Sequence, residues 1–568
     1  MARSPRSRQG HAAAPQTGPL IEPLGDTAAA IDATQTTPAD GLIDRLRLIA
    51  RAVEAAGLAG VTDVVPSPDR VTVVYNPLLI ERLDDFLGGL RQAVASVPAA
   101  AAVAAAVCHD LPVCYGGEDG PDLAAVCRHH GIDRETLIQL HTEPAYLVTA
   151  IGFVPGFPYL SGLSPALATP RLASPRTHVP AGSVGIGGSQ TGVYPFVTPG
   201  GWRLIGRTGF PLFDPTAAPP AALAVGDRVR FRATSESPVA PPLTPSPARS
   251  FQRPTVSVLE PGLMTSVQDL GRSGQRAAGV PNGGAVDPQS ARLANLIVGN
   301  PESAALIEFT LLGPSLRFEA DTLIGFAGAP LARWPLLRPL RIRAGQTLAS
   351  GHVTAGCRGY LAIAGGIDTA PVLGSRATCL PAGFGGHAGR PLLAGDQLAA
   401  GPPAAVPDNV GWSLDPSLVP LPPPGCPCRL RFIPAAADSA GIGSLIKATF
   451  PVSASSNRMG IRLDGCLPQV PAAGISRAVL PGTIQLPPDG NPILLLADAQ
   501  TIGGYAVLGQ VIAADLPLAG QLRPGDHVHF EPTTISAAHR LLRQQQATLA
   551  LVRRGIAARF SPERRPAQ

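Results

Sequence analysis

Between Gly152 and Thr208 the chain concentrates residues able to present hydrogen-bond donors to a ligand. The run opens Gly152-Phe153-Val154-Pro155-Gly156-Phe157-Pro158-Tyr159-Leu160 and passes through Val179-Pro180-Ala181-Gly182-Ser183-Val184-Gly185-Ile186-Gly187-Gly188-Ser189-Gln190-Thr191-Gly192-Val193-Tyr194-Pro195. It closes Thr198-Pro199-Gly200-Gly201-Trp202-Arg203-Leu204-Ile205-Gly206-Arg207-Thr208. Gly and Pro at this density exclude a helix, because Gly costs more entropy to order and Pro lacks an amide donor. Aromatic and β-branched residues between them suit short strands joined by tight turns that turn backbone amides outward. The stretch reads as a binding surface; the plainer alternative is a Gly-rich β-corner that only packs. His141, at the end of a helix just ahead of it, has the position of a structural histidine, yet its closeness to Tyr146 and Gly152 keeps it a catalytic candidate. Two familiar motifs are excluded. Lys447 lies between Ile446 and Ala448, so there is no phosphate-binding Gly-Lys-Ser/Thr loop, and Ala181-Gly182-Ser183-Val184-Gly185 lacks the first Gly of a nucleophile elbow. Ser183 is therefore read as a donor or turn residue.

The elements that must position this surface follow from periodicity. Val71 to Tyr75 is a strand, Leu83 to Val94 has helical spacing, and Leu111 to Tyr115 is again a strand. Asp122 and Asp133 can each cap a helix, the first ending before Gly131. Residues 20–148 are expected to form an α+β domain and 149–235 a β-domain. Leu223-Ala224-Val225-Gly226-Asp227-Arg228-Val229 recurs as Leu522-Arg523-Pro524-Gly525-Asp526-His527-Val528, and more loosely as Leu392-Leu393-Ala394-Gly395-Asp396-Gln397-Leu398. Gly-Asp ahead of an alternating segment is turn chemistry, so each copy should bring in a closing strand and mark a β-rich module. Two such modules are expected at 255–400 and 429–535. Asp287-Pro288 should cap a helix ending at Gly299. Pro-rich breaks at 236–254 and 401–428 read as linkers, and 1–19 and 536–568 as tails.

At 568 residues the chain is multidomain, and 63 Gly and 63 Pro with 45% hydrophobic residues describe loop-rich folded modules rather than disorder. Lys447 is the only lysine, and no arginine cluster with interleaved aromatics points to nucleic acid. The eight cysteines lack paired CxxC spacing, so neither a zinc site nor a disulfide framework is expected. No apolar segment follows Arg3, Arg6 and Arg8, and the run Ala99 to Val107 is too short for a membrane span. A cytoplasmic protein without membrane contact is expected.

Phe153 to Leu160, Val179 to Thr208 and the closing Gly226-Asp227 resemble the B-type component of 5-oxoprolinase, also described as allophanate hydrolase subunit 1 or a histidine-kinase-inhibitor-like protein. Gln268-Asp269-Leu270-Gly271-Arg272, Asn457-Arg458-Met459-Gly460 and Ile484 to Tyr505 resemble the C-type component of 5-oxoprolinase, of the biotin-dependent carboxyltransferase family. Together these matches cover about residues 20 to 535. The resemblance implies a B–C fusion with a mainly β fold: an α+β N-terminal part and several cyclophilin-like β-barrel modules. It also implies ATP-dependent opening of 5-oxoproline to glutamate, with Mg2+ and a third subunit of the lactam-utilisation (LamB/YcsF) type.

Activating a lactam carbonyl by phosphorylation calls for phosphate donors, a clamp for the substrate carboxylate and a carboxylate to handle a proton or Mg2+. Under the resemblance, His141, Asp269, Asp287 and Asp498 are the catalytic candidates. The candidates for binding substrate or ATP fall in three groups. The first is Arg171, Arg176, Ser183, Gln190, Tyr194, Gly200, Gly201, Trp202 and Arg207; the second is Gln268 and Arg272; the third is Asn457, Arg458, Gln485, Gln500, Thr501, Gly503, Gly504 and Tyr505. No metal-ligating set is assigned. A competing reading is carboxyl transfer to urea or a related amide. It needs a separate biotinylated carrier, since Leu445-Ile446-Lys447-Ala448-Thr449 does not resemble a Met-Lys-Met attachment site. A third reading is regulatory binding of a histidine kinase by the N-terminal half. Homo-oligomerisation is left open.

Overall fold

The computed structural model describes residues 18–98, 106–236, 254–403, 410–435, 440–468 and 475–560. Most of the expected linker at 236–254, most of the tail at 1–19 and the last residues of the tail at 536–568 lie outside the described residues.

The N-terminal unit is a four-stranded sheet with spatial order Leu20–Leu24, Ala28–Asp32, Arg70–Tyr75, Val61–Pro66. The helix Leu42–Ala55 buries Ile43, Leu46, Ile49, Ala50 and Val53, a three-and-four spacing that puts one apolar face on the sheet. The helix Leu83–Ala95 does the same with Phe86, Leu87 and Leu90.

A closed seven-stranded barrel follows, running Gln190–Val193, Pro158–Ser161, Tyr146–Ile151, Arg228–Ala233, Cys108–Tyr115, Arg203–Arg207, Ser183–Gly187 and back to its start. It recruits Cys108–Tyr115, ahead of the boundary expected at 149. Two short helices, Leu123–His130 and Arg134–Thr142, separate that strand from the rest of the barrel in sequence, which gives the region its α+β appearance.

A second barrel near the C-terminus repeats the topology. Its seven strands are ordered Thr449–Pro451, His527–Pro532, Cys428–Pro434, Ala506–Val511, Thr483–Leu486, Ile493–Leu495, Gly460–Arg462, and a bridge between Val452 and Leu463 draws its edges together. In both barrels the last strand lies parallel to the first. The Gly-Asp turns deliver these last strands as expected. Asp227, Asp396 and Asp526 each accept a bond from the backbone N–H three residues earlier, at 2.8, 2.7 and 3.0 Å, and the preceding glycines have φ of +92°, +89° and +90°. The Gly395-Asp396 copy closes no barrel. Its strand Gln397–Leu398 pairs with Val256–Glu260 in a four-stranded sheet that shares one core with the five-stranded sheet containing Met264–Gln268 and Leu306–Thr310. The middle module is thus a pair of packed sheets with the helix Pro288–Ile297 alongside.

Two boundaries differ from expectation. The described part of 401–428 is not a free linker, since Val410, Trp412, Leu414, Leu418 and Leu421 pack on the core around that helix. Residues expected as a tail form the helix Ile535–Phe560, which buries Ala538, His539, Leu549 and Ile556. Charged residues spaced along it hide that pattern in the sequence.

Candidate functional site on the seam between the halves

The two sequence halves meet along a close seam. A Cβ on Gly152 would lie 2.3 Å from Ile502 Cγ1 and 2.9 Å from Thr501 Oγ1, so only glycine lets the first barrel's loop rest on the second barrel's Gly-rich segment. Gly156 N–H donates to the Ala278 carbonyl at 2.9 Å. Phe157, Tyr159, Tyr194 and Trp202 form one buried cluster with Ala478 and Ile502 from the other half, and burial raises the Tyr159 and Tyr194 hydroxyl pKa values, Tyr194 to about 12. Arg477 pairs with Asp69 at 2.6 Å. Arg276, fully buried, donates its backbone N–H to Asp63 Oδ1 at 3.0 Å, and its guanidinium donates to Asn282 Oδ1 at 2.6 Å and to the Val479 carbonyl.

Beside this seam lies a buried ionic group. Arg458 donates to Asp498 through Nε at 2.8 Å and Nη2 at 3.0 Å, to the Gly284 carbonyl at 2.7 Å, and to Glu308 through Nη1. Burial alone would lower the Arg458 pKa, but the two carboxylates outweigh it and hold the guanidinium above its usual value. Glu308 Oε2 also accepts from Val286 N–H at 2.9 Å. Glu308 escaped the sequence reading; its signal is a lone acid in the apolar strand Leu306–Thr310.

Arg272 reaches the same place from the neighbouring turn. Its Nη2 donates to the Ala377 carbonyl at 2.5 Å, its guanidinium carbon stands 5.1 Å from the Phe384 ring centre, and its Nε and Nη1 have no partner among the described residues. Cys379, whose thiol burial pushes up to about 12, also lies within the electrostatic reach of Arg272, Asp498 and Arg458. A short way along the chain from Asp498, Thr501 Oγ1 and Gln485 Nε2 are buried and unpaired, while Gln500 Nε2 donates to Gln485 Oε1 at 3.3 Å. A Cβ on Gly503 would come 2.6 Å from Gln485 Nε2, and one on Gly504 3.3 Å from Ser476 Oγ. Tyr505 is exposed at the rim. The structure thus places Arg272 and Arg458 beside Asp498, Gln500 and Gly503 beside Gln485, and Tyr194 and Trp202 of the first half in one cluster with Ile502.

Other candidates have different tasks. Asp269 accepts from Gly271 N–H, Ser375 Oγ and Arg376 N–H, which fixes the turn that aims Arg272. Gln268 is fully buried, bonded to Ser266 and Thr378, with Oε1 unpaired. Asp287 caps the helix Pro288–Ile297. It accepts from Ser290 N–H and Oγ and from Gln521, and burial raises its pKa to about 6. Asn457, next to Arg458 in sequence, is exposed and accepts from Met459 N–H at 2.8 Å. His141 has both ring nitrogens engaged. Thr191 Oγ1 gives its hydrogen to the Gly185 carbonyl, so His141 Nε2 must donate to Thr191 at 3.0 Å while Nδ1 accepts from Tyr115 Oη at 2.7 Å. Burial lowers its pKa to about 3, and Phe231 stacks on the ring.

In the first barrel, Arg176 donates to Asp122 at 2.8 Å and Arg207 pairs with Asp119 at 3.3 Å. Arg171 is exposed, 5.9 Å from the Trp202 ring centre. Ser183 is buried opposite Arg207 in the strand pairing, and Gln190 faces Gly187 at a hairpin. Gly200 lies under Tyr194, whose hydroxyl a Cβ would meet at 2.6 Å, whereas Gly201 has ordinary room beside Pro175. Among the described residues no helix is long and apolar enough to cross a membrane.

Comparison with known proteins agrees with this division. Residues 19–223 match the model for "Carboxyltransferase domain, subdomain C and D" and residues 278–532 that for "Carboxyltransferase domain, subdomain A and B". The B-type component of 5-oxoprolinase from Escherichia coli O157:H7 is 40% identical over 37% of this chain and 93% of its own length. The C-type component of 5-oxoprolinase from Escherichia coli K12 is 35% identical over 51% of this chain and 95% of its own. Urea amidolyase of Saccharomyces cerevisiae is 32% identical over 53% of this chain but only 18% of its own. A crystal structure of TTHA0988 superposes with a TM-score of 0.77 and 36% identity, covering 89% of this chain and 99% of that one.

Proposed function

Because the chain belongs to the carboxyltransferase-domain family of the B-type and C-type 5-oxoprolinase components, joined in one polypeptide, we propose that it is the B–C component of an ATP-dependent 5-oxoprolinase. The lactam would be activated on the seam. The observation that carries this placement is a set of buried polar atoms on or beside the seam that have no partner among the described residues: Asp63 Oδ2, Arg272 Nε and Nη1, Arg276 Nε, Gln485 Nε2 and Thr501 Oγ1. Most buried polar groups in folded proteins are paired, so such a concentration asks for a ligand or water. Most of these atoms are donors, which suits the carboxylate, carbonyl and phosphate oxygens that lactam phosphorylation brings together.

In this reading phosphoryl transfer from ATP to the lactam oxygen releases ADP and makes the ring carbon electrophilic; water adds there, the ring C–N bond breaks as the nitrogen takes up a proton, and phosphate leaves to give glutamate. The chain's own residues bind and orient: Arg272, Gln485 and Thr501 donate to oxygens, and Glu308 and Asp498 hold Arg458, which fixes Gly284 and the turn beside Arg272. A lactam-utilisation type partner would complete the reaction. The test is incubation with 5-oxoproline, ATP and Mg2+, with and without that partner. Glutamate and ADP formed together in the combined sample are expected; turnover of other amides with no glutamate in either sample would sink the proposal.

The urea amidolyase relative and the carboxyltransferase family models favour one second reading, carboxyl transfer to urea or a related amide. It predicts carboxylated product when a separate carboxybiotin carrier is supplied without ATP. Failure of urea and related amides to accept the carboxyl group would remove it.

A further inference from the structure

Five arginines can compete to hold an anionic group, and their surroundings separate them. Arg176, Arg207 and Arg458 are each paired with a carboxylate, and Arg171 is exposed over Trp202. Arg272 differs from all four. It is 2% exposed, no carboxylate lies within ion-pair distance of it among the described residues, and two of its three nitrogens lack any acceptor. A buried donor without an acceptor costs free energy, and a charged one costs more.

The guanidinium is nevertheless firmly aimed. Nη2 is fixed by the Ala377 carbonyl, the Phe384 ring supports one face, and Asp269 sets the turn from which the side chain leaves. Glycines surround it where side chains would intrude. A Cβ on Gly283 would lie 3.3 Å from Nη1 and 3.7 Å from Asp498 Oδ1, and a Cβ on Gly385 would lie 3.2 Å from Nη2. The approach to Nη1 is thus kept clear beside Asp498. Asp498 and Glu308 direct their oxygens to Arg458 and to Val286 N–H, so no acceptor is left among the described residues for the hydrogens on Arg272 Nε and Nη1. A planar carboxylate meets that need with directional, charge-assisted bonds.

We infer that Arg272 is the residue that binds the carboxylate of a cyclic amide substrate, which makes the seam selective for lactams carrying an acid next to the ring nitrogen. This rests on the proposed 5-oxoprolinase reading and sharpens it, because a neutral lactam of the same ring size would lose the contact.

The test is calorimetric titration of the full chain with 5-oxoproline and with 2-pyrrolidinone, which has the same ring without the carboxylate. Wild type should bind 5-oxoproline at least about tenfold more tightly, within the range of a buried charge-assisted bond. Arg272→Met should abolish that preference, bringing 5-oxoproline down to the affinity of 2-pyrrolidinone. Gly283→Ala, which puts a methyl group about 3.3 Å from Nη1 and keeps the arginine, should reduce the preference in the same direction, with the fold of both variants checked by circular dichroism because Gly283 has a φ of +60°. Equal affinity of wild type for the two rings overturns the inference with no variant needed. A preference for 5-oxoproline that survives in folded Arg272→Met overturns it while leaving the 5-oxoprolinase reading intact. Binding of neither ring by wild type removes both.

Discussion

At the scale of single residues, the seam depends on charges that would be costly to leave unmatched. Asp498→Asn removes the carboxylate charge facing Arg458 and sets an amide NH2 against either Nε or Nη2, in a place with almost no solvent. Breaking a buried pair from one side costs about 3–5 kcal/mol, so a clear fall in the denaturation midpoint is expected. Under the proposed function the 5-oxoproline-dependent rate should also fall by about 100-fold or more. Wild-type turnover in a folded Asp498→Asn protein would remove Asp498 from the site. His141 gives a prediction in another observable. Its folded pKa of about 3 lies below the unfolded value of 6.5, so as pH falls through 6.5 the unfolded chain takes up a proton that the folded chain refuses. Stability from this group is complete above pH 6.5 and declines by about 1.4 kcal/mol per pH unit down to about pH 3. Denaturant titrations at pH 7.5, 5.5 and 4.5 should show this slope in wild type relative to His141→Gln; parallel pH dependences would show that the ring is not held neutral. Asp26 and Asp287, raised to about 6 by burial, contribute with the opposite sign between pH 3.8 and 6. The comparison cancels them because they are present in both proteins.

At the scale of elements, the sequence carries the architecture more openly than the Gly-Asp turns alone suggest. Thr198-Pro199-Gly200-Gly201-Trp202-Arg203-Leu204-Ile205-Gly206-Arg207 aligns with Thr501-Ile502-Gly503-Gly504-Tyr505-Ala506-Val507-Leu508-Gly509-Gln510, and the segments hold equivalent places in the two barrels, each feeding the strand beside the barrel's first one. Local turn and strand chemistry is legible because it is written in neighbouring residues. What was not legible is long-range: Glu308 meeting Arg458, or Gly152 making room for Ile502, joins positions far apart whose types look ordinary alone. The C-terminal helix shows the same limit. His539 donates to the Asp26 carbonyl at 2.8 Å and packs edge-on against Tyr75, and Arg543 donates to the carbonyls of Ile80 and Glu81. This helix therefore straps the N-terminal sheet to the second barrel. A chain stopped before Ile535 should become sensitive to limited proteolysis within residues 18–98 while the barrels stay resistant. An unchanged digestion pattern would show that the helix does not stabilise the N-terminal unit.

At the scale of the whole molecule, the question is what joining the halves in one chain achieves. The seam is held by several independent contacts: Arg276 with Asp63, Arg477 with Asp69, the aromatic cluster around Ile502, and the stacked pair Phe213 and Phe384, whose ring centres are 5.9 Å apart. Such a surface can assemble without covalent help, and joining the halves in one chain then raises the effective concentration of one half around the other, by an amount of about millimolar order. Chains ending at Ser237 and starting at Phe251 should therefore form a one-to-one complex on mixing at micromolar concentration, read by gel filtration with light scattering. The complex should recover most of the lactam-dependent activity. Arg276→Met in the second fragment removes the Asn282 and Val479 bonds that fix the backbone N–H held by Asp63, and should weaken assembly by about tenfold or more, while the intact chain carrying the same change stays associated. Fragments that remain separate at micromolar concentration, or that show full activity singly, would mean that the seam does not form the working site.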